Sequence, residues 1–258
     1  MMAAIGATRT FLRPPADDTG LTALVTKEST MVLAGEAFAQ GLRQMIKDSE
    51  YALVGSPFVR GVAAGTLSRA QLKAWALQDY VYRRHVPQLA ATRFTKCTDP
   101  KIREELFETL IEEGTGSVTG SAGHIQLFFD LAEALGASRE ELEAAEPLPE
   151  AEAHVYWAEL ILHTRPWFVA LSAQLAGEGQ VPDYAALLVD GLRKHYGLSD
   201  RGVRFWAVHL EADKEHGGTV ERMIARYIVT DELQEDVRAV VRTKLRLVHG
   251  MFHAYRHV

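Results

Sequence analysis

His209-Leu210-Glu211-Ala212-Asp213-Lys214-Glu215-His216 places two imidazoles and a carboxylate at a spacing that an α-helix gathers onto one side. At about 100° per residue, His209, Asp213 and His216 fall at roughly 0°, 40° and −20°, a narrow stripe. Carried in both directions, the stripe collects Phe205, Trp206, Val220, Met223, Ile224 and Tyr227, while Glu211, Lys214 and Glu215 take the flanks and back. The polar triad therefore sits in the middle of a core-facing apolar surface. Two imidazoles and a carboxylate in such a place are costly unless satisfied, and one bound cation satisfies all three. A hydrogen-bonded His-Asp-His tie between helices is the alternative.

Outward from this helix the chain reads as helices with short punctuation. Ser68 is an N-cap before a long stretch towards Cys97 that bends at Pro87, and Asp99-Pro100 restarts the chain. That next helix ends near Gly114-Thr115-Gly116, and another runs from Ser121 to Leu135. Ser138 with Glu141 forms a capping box. A segment from about Pro149 to Glu178 bends at Pro166, with Trp157, Leu160, Thr164, Trp167, Leu171 and Leu175 as its inner face. Pro182-Asp183 opens a helix that Gly197 stops, Ser199-Asp200 caps one running to about Val229, and Thr230-Asp231 caps the last. No two-residue alternation marks a strand. The expectation is an all-α bundle of seven to eight helices over residues 31–258, with residues 1–30 as a loose extension.

Other ionisable groups break the apolar pattern in the same way. Glu113 continues the face made by Ile102, Leu106 and Leu110, with Glu112 at its edge as a competitor. His124 opens a helix ahead of Leu127, Phe128 and Leu131, and Glu178 ends the inner face of its own segment. Each alone is an ordinary helix-end residue. Together Glu113, His124, Glu178, His209, Asp213 and His216 offer three carboxylates and three imidazoles, enough for two metal ions. Oxygen and nitrogen ligands without thiolate favour iron or manganese. Only one Asp-x-x-His unit is present, so the paired Glu-x-x-His pattern of ferritin-like bundles is not met. His249, His253 and His257 form a row in the final turns of the last helix and are read as dipole-facing or solvated.

Composition narrows the function classes. Among 258 residues, 34 are acidic and 28 basic, a formal charge of −6 with no basic block, so nucleic acid is not an expected partner. No apolar run reaches the roughly 20 residues of a membrane helix, and Met1 to Gly20 lacks a signal-peptide core. Cys97 is the only cysteine, beside 10 histidines, which excludes a disulfide framework and a thiolate metal site and suits the cytoplasm.

Ala74-Trp-Ala-Leu-Gln-Asp-Tyr80, Glu112-Glu113, Gly123-His124-Ile-Gln-Leu-Phe128, Gly177-Glu178-Gly-Gln-Val-Pro182, Gly191-Leu-Arg-Lys-His-Tyr-Gly197 and His209-x3-Asp213-x2-His216 occur in an order that resembles the haem-oxygenase-like dimetal oxidases of the TenA/PqqC superfamily. The resemblance runs from about Ser68 to the last helix. It implies a haem-oxygenase-like fold, often dimeric, that binds no haem. It also implies a ligand set of Glu113, His124, Glu178, His209, Asp213 and His216 for two irons, with O2 as co-substrate. Implied reactions are desaturation, N-oxygenation or oxidative C–C cleavage of an amino-acid-, amine- or fatty-acid-derived small molecule, with an external reductant. Tyr80, Tyr82, Arg165, Trp167 and Trp206 are the candidate pocket wall.

Three departures matter. The mid-chain cysteine of the TenA thiaminases has no counterpart, and the metal-free PqqC-like catalysts lack the full ligand set. Chlamydial-type members form 4-aminobenzoate from one of their own tyrosines, assisted by a lysine. The matching regions here hold Phe58-Val59-Arg60 and Ala186-Leu187-Leu188, so that self-consuming reaction is not expected. A metal-free catalyst, an aminobenzoate synthase and a non-catalytic helical interaction protein remain the alternatives.

Overall fold

The computed structural model describes residues 33–216 and 218–257, with the side chains of residues 211–217 left out. The expected 1–30 extension lies outside the described residues. The all-α expectation is borne out: the described residues hold thirteen α-helices and no strand. In chain order they are α1 (Gly35–Lys47), α2 (Pro57–Ala64), α3 (Arg69–Arg83), α4 (Val86–Lys96), α5 (Pro100–Thr115), α6 (His124–Ala134), α7 (Arg139–Ala144) and α8 (Pro149–Thr164). There follow α9 (Trp167–Leu171), 3-10 turns at Ser172–Ala176 and Glu178–Gln180, α10 (Val181–Tyr196), α11 (Asp200–His216), α12 (Thr219–Tyr227) and α13 (Asp231–Ala254).

The helices outnumber the expected seven or eight because single expected helices divide: the one expected from Asp200 to about Val229 ends at His216 and a separate helix starts at Thr219, and two expected bends have become breaks. The stretch from Ser68 divides just before Pro87, and the segment from Pro149 stops at Thr164, before Pro166, to restart at Trp167. Proline restricts the residue before it and removes an N–H, so the helical ladder ends there. The break also shifts the phase of the predicted inner face. Leu160 is 57% exposed and Thr164 is exposed; α8 buries Ala151, His154, Val155, Ala158, Ile161 and Leu162 instead.

The caps follow the sequence. Ser68 and Ser138 each form a capping box, with Gln71 and Glu141, and the Asp99 side chain accepts from the N–H groups of Lys101 and Ile102. Helix α10 packs on α2 and α11, α11 on α6, and α13 on α8. The α10–α2 contact is a close backbone approach: a Cβ on Gly191 would lie 2.4 Å from the Val62 carbonyl oxygen. Two apolar clusters result. One centres on Phe58, Trp75, Trp206 and Phe252, the other on Phe38, Leu42, Val169 and Met223, and Tyr82 packs against both. Among the described residues no helix is long and apolar enough to cross a membrane.

Candidate metal centre

The glycine-rich loop between α5 and α6 builds one side of the site. Gly116 closes α5 at φ 67°, and a Cβ there would meet the Ala122 carbonyl oxygen at 2.3 Å. A Cβ on Gly123 would meet the Gly114 carbonyl oxygen at 2.4 Å. Only glycine allows the start of α6 to fold back this tightly on the end of α5. The consequence is that His124, first residue of α6, lies beside both glutamates: its Nδ1 is 3.1 Å from Glu113 Oε2 and its Nε2 is 3.5 Å from Glu112 Oε1.

The two glutamates have different surroundings. Glu112 accepts from the backbone N–H groups of Val118 (2.9 Å) and Thr119 (3.1 Å) and from the Thr119 hydroxyl, so it holds the loop. Glu113 has no such ties and lines a cavity together with His124, Glu178 and His209. Burial opposes the Glu113 charge, but contact with His124 and the field of His209 outweigh it and hold the carboxyl below its usual range. His124 is drawn the other way: burial favours the neutral ring, yet Glu113 and Glu112 raise its affinity for a proton. Both His124 nitrogens are buried, and neither is aligned for a hydrogen bond despite the near oxygens. A buried neutral imidazole beside carboxylate oxygens, with no aligned hydrogen bond, keeps one ring lone pair free for a cation.

His209 completes this side. Its ring centroid is 4.7 Å from that of His124, and its Nδ1 is 2.6 Å from the Phe205 carbonyl oxygen, one turn earlier on α11. An Nδ1–H donated to that carbonyl leaves the Nε2 lone pair as the metal-binding atom. Burial lowers the His209 pKa to about 4, so the ring is neutral at pH 7 and open to a metal. Asp213 and His216 follow on α11, one and two turns on, but their side chains are outside the described residues. Glu178 opens the second 3-10 turn and accepts from the Gln174 amide. Its surface is accessible yet lies within the protein envelope, facing the cavity; burial raises its pKa and Arg93 opposes that. Among the described residues no three of these ligand types converge tightly enough to enclose an ion by themselves. The unpartnered His124 nitrogens, the His209 tautomer and the all-oxygen-and-nitrogen donor set fit iron or manganese.

Of the five candidate wall residues, Tyr82 alone lines this cavity. Tyr80 packs on the rings of Phe128 and Phe129, and Arg165 pairs with Asp236 at 3.3 Å on the surface. Trp167 donates to the Thr98 hydroxyl at 3.1 Å. Trp206 stacks on Trp75 within the core, its ring 6.1 Å from that of His209. The wall has instead Arg83, His154, Tyr184 and Lys244, none of which the helix phases singled out. Arg83 donates to the buried Asp79 at 3.1 Å and lies over the rings of Tyr82, Phe205 and Trp206. His154 and Lys244 were legible in principle. Each sits mid-stripe, His154 among Ala151, Val155 and Ala158, and Lys244 among Val240, Val241, Leu245 and Val248.

Comparison with known proteins agrees with this donor set. The model of a family described as iron-containing redox enzyme matches residues 73–249. The chain belongs to that family. A 4-aminobenzoate synthase of Nitrosomonas europaea is 33% identical over 221 residues, covering 81% of this chain and 87% of the relative. A pyrroloquinoline-quinone synthase of Acinetobacter calcoaceticus is 26% identical over 227 residues, 86% of each protein. Among solved structures, a TenA homologue from Pseudomonas syringae superposes with a TM-score of 0.73 at 15% identity, covering 86% of this chain and 93% of that one. The family thus carries a haem-oxygenase-like helical fold, and this member of it is a redox enzyme of the iron-containing class.

Proposed function

We propose that the protein is a non-haem di-iron oxidase or oxygenase, acting with O2 on a small molecule derived from an amino acid, an amine or a fatty acid. The observation that carries this reading is His124, buried beside Glu113 and His209 with neither ring nitrogen hydrogen-bonded. Glu113, His124, Glu178, His209, Asp213 and His216 would hold the metal, manganese being the substitute. Two irons there supply the electrons for O2 chemistry when bound. The chain's own groups prepare the place. Phe205 holds the His209 tautomer, and Glu112 anchors the loop that brings His124 to Glu113. The aromatic rings of Phe205 and Tyr82 pack against Arg83 at the cavity wall. An external reductant, a homodimer and a cytoplasmic setting belong to the same reading.

Oxygen uptake by the iron-loaded chain, measured against panels of amino acids, amines and fatty acids, tests it. Uptake that one class stimulates, and that His209→Ala abolishes, supports the reading; no uptake with any class contradicts it.

A second reading, 4-aminobenzoate formation, is favoured by the Nitrosomonas relative and by Tyr82, Tyr184 and Lys244, which bring two phenols and an amine into the cavity from positions outside those matched in the sequence. Release of 4-aminobenzoate, with a matching mass loss confined to Tyr82 or Tyr184 in the intact chain, supports it. An unchanged chain mass after aerobic iron loading rejects it.

A further inference from the structure

The last helix carries its charge unevenly. From Val237 to Val258 the chain holds Arg238, Arg242, Lys244, Arg246 and Arg256 and no aspartate or glutamate, in a protein whose formal charge is −6. Lys244 is on the buried face of α13, where it lines the metal-site cavity together with Val248, Met251 and Phe252. At 100° per residue, Arg242, Arg246, His249 and His253 fall within about 60° of one another on the opposite side. Arg242, Arg246 and His253 are exposed there, and Arg256 and His257 follow, also exposed, past the helix end.

This row is neither neutralised nor loose. Elsewhere on the surface Arg165 pairs with Asp236, Arg201 with Asp130 and Glu133, and Arg222 with Glu105. Arg242, Arg246 and Arg256 make no ion pair among the described residues. Arg246 lies over the Tyr51 ring instead, 5.6 Å from its centroid, and His249 meets the same ring edge-on at 5.4 Å. Tyr51 therefore holds two members of the row in place. An ordered, uncompensated positive row on an acidic protein attracts a negatively charged surface and orients it.

The position of the row limits what that surface does. Only α13 separates it from the cavity, a thickness of roughly 10 Å. On the inner side Gly177, the residue before Glu178, packs on the Lys244 stem: a Cβ there would lie 3.2 Å from Lys244 Cε. An electron crosses such a thickness of protein by tunnelling, whereas a substrate cannot pass through a packed helix. From Arg242 to His253 the row is about 17 Å long, the footprint of a small, transient protein contact. An extended polyanion is opposed by the acidic remainder of the chain.

We infer that the outer face of α13 is the docking surface for an acidic one-electron carrier protein of the iron–sulfur type, which passes electrons across α13 to the metal cavity. This deepens the oxidase reading and rests on it for the destination of the electrons; the docking itself does not need the metal. Each encounter oxidises the carrier's cluster by one electron and reduces one ferric ion to ferrous. Two encounters restore both irons, and no proton or group is transferred.

Calorimetric titration of the full chain, iron-free and iron-loaded, with an acidic plant-type [2Fe–2S] ferredoxin tests this at about 0.02 M and about 0.3 M salt. Both forms bind at low salt and lose affinity about 10-fold or more at high salt. Arg242→Glu/Arg246→Glu weakens low-salt binding about 10- to 100-fold, and Arg242→Gln/Arg246→Gln weakens it less. Lys101→Glu/Arg103→Glu on α5, with the same change in net charge, leaves it within about 2-fold. In stopped flow, reoxidation of the reduced ferredoxin by the ferric protein slows by a similar factor in the first variant only. No binding by the iron-free wild type overturns the inference, as does equal weakening by the α5 variant or a reoxidation rate that the α13 variants leave unchanged. Tighter binding to phosphatidylglycerol vesicles or to a DNA oligonucleotide than to ferredoxin also overturns it. Iron stoichiometry of the wild type, counted separately, reports on the oxidase reading, so the two ideas fail independently.

Discussion

Replacing Lys244 by methionine should stabilise the protein, and the gain should shrink as pH rises. Burial lowers the lysine pKa from its ordinary 10.5 to about 7, with Arg93 and Arg83 adding to the effect and Glu178 opposing it. The groups facing it are His154 from α8, Tyr82 and Arg83 from α3, Arg93 from α4 and Glu178 from the 3-10 turn. Between pH 7 and 10.5 the unfolded chain holds a proton on this lysine that the folded chain does not. Wild-type stability therefore rises with pH across that window, by up to about 1.4 kcal/mol per pH unit, and below pH 7 the full penalty applies. The full shift corresponds to an upper bound of about 5 kcal/mol; with less favourable packing around methionine, a gain of about 2–4 kcal/mol at pH 7 is expected. Urea unfolding followed by tryptophan fluorescence at pH 7, 8 and 9 measures it. A Lys244→Met protein that is less stable than wild type at pH 7, or a difference flat from pH 7 to 9, would refute the reasoning.

Four other outcomes follow from the same geometry. Glu112→Ala leaves the Val118 and Thr119 N–H groups without their acceptor and should lower stability by about 1–2 kcal/mol, read as a lower urea midpoint. Gly191→Ala forces α10 away from the Val62 carbonyl and should destabilise by about 1–3 kcal/mol, again by urea unfolding. Trp167→Phe and Arg165→Ala, whose side chains lie away from the cavity, should leave iron affinity unchanged within about 2-fold by competitive chelation. Ser138→Ala should cost about 1 kcal/mol through loss of its capping box, measurable in the same unfolding assay.

How much of this was legible depends on whether the information was local. The helix caps at Ser68, Asp99 and Ser138 are local, and the structure has all three. The stripe from Phe205 to His209 is also local, because one uninterrupted helix carries it, whereas its expected extension through Val220, Met223, Ile224 and Tyr227 falls on α12, a separate helix. The inner face drawn through Leu160 and Thr164 misplaced both residues because it carried one phase across Pro166, where the chain stops and restarts. His154 and Lys244 break their apolar stripes just as His209 does, yet each looks like an isolated exception within its own helix. Their meeting depends on α8 packing on α13, a tertiary fact no single helix contains. Glu112 and Glu113 are adjacent in sequence and nearly equivalent in phase. The close return of the Gly114–Gly123 loop is what gives one the loop and the other the cavity.

The central claim is that Glu113, His124, Glu178 and His209, with Asp213 and His216, bind two metal ions. Anaerobic Fe(II) titration of the full chain, with bound iron counted per chain after desalting, measures this most directly. The account predicts close to two irons per chain in the wild type, at most one in Glu178→Ala, and none retained in His209→Ala with the helical circular-dichroism signal intact. Wild-type protein that retains no iron, or a His209→Ala protein that retains as much as wild type, would contradict it.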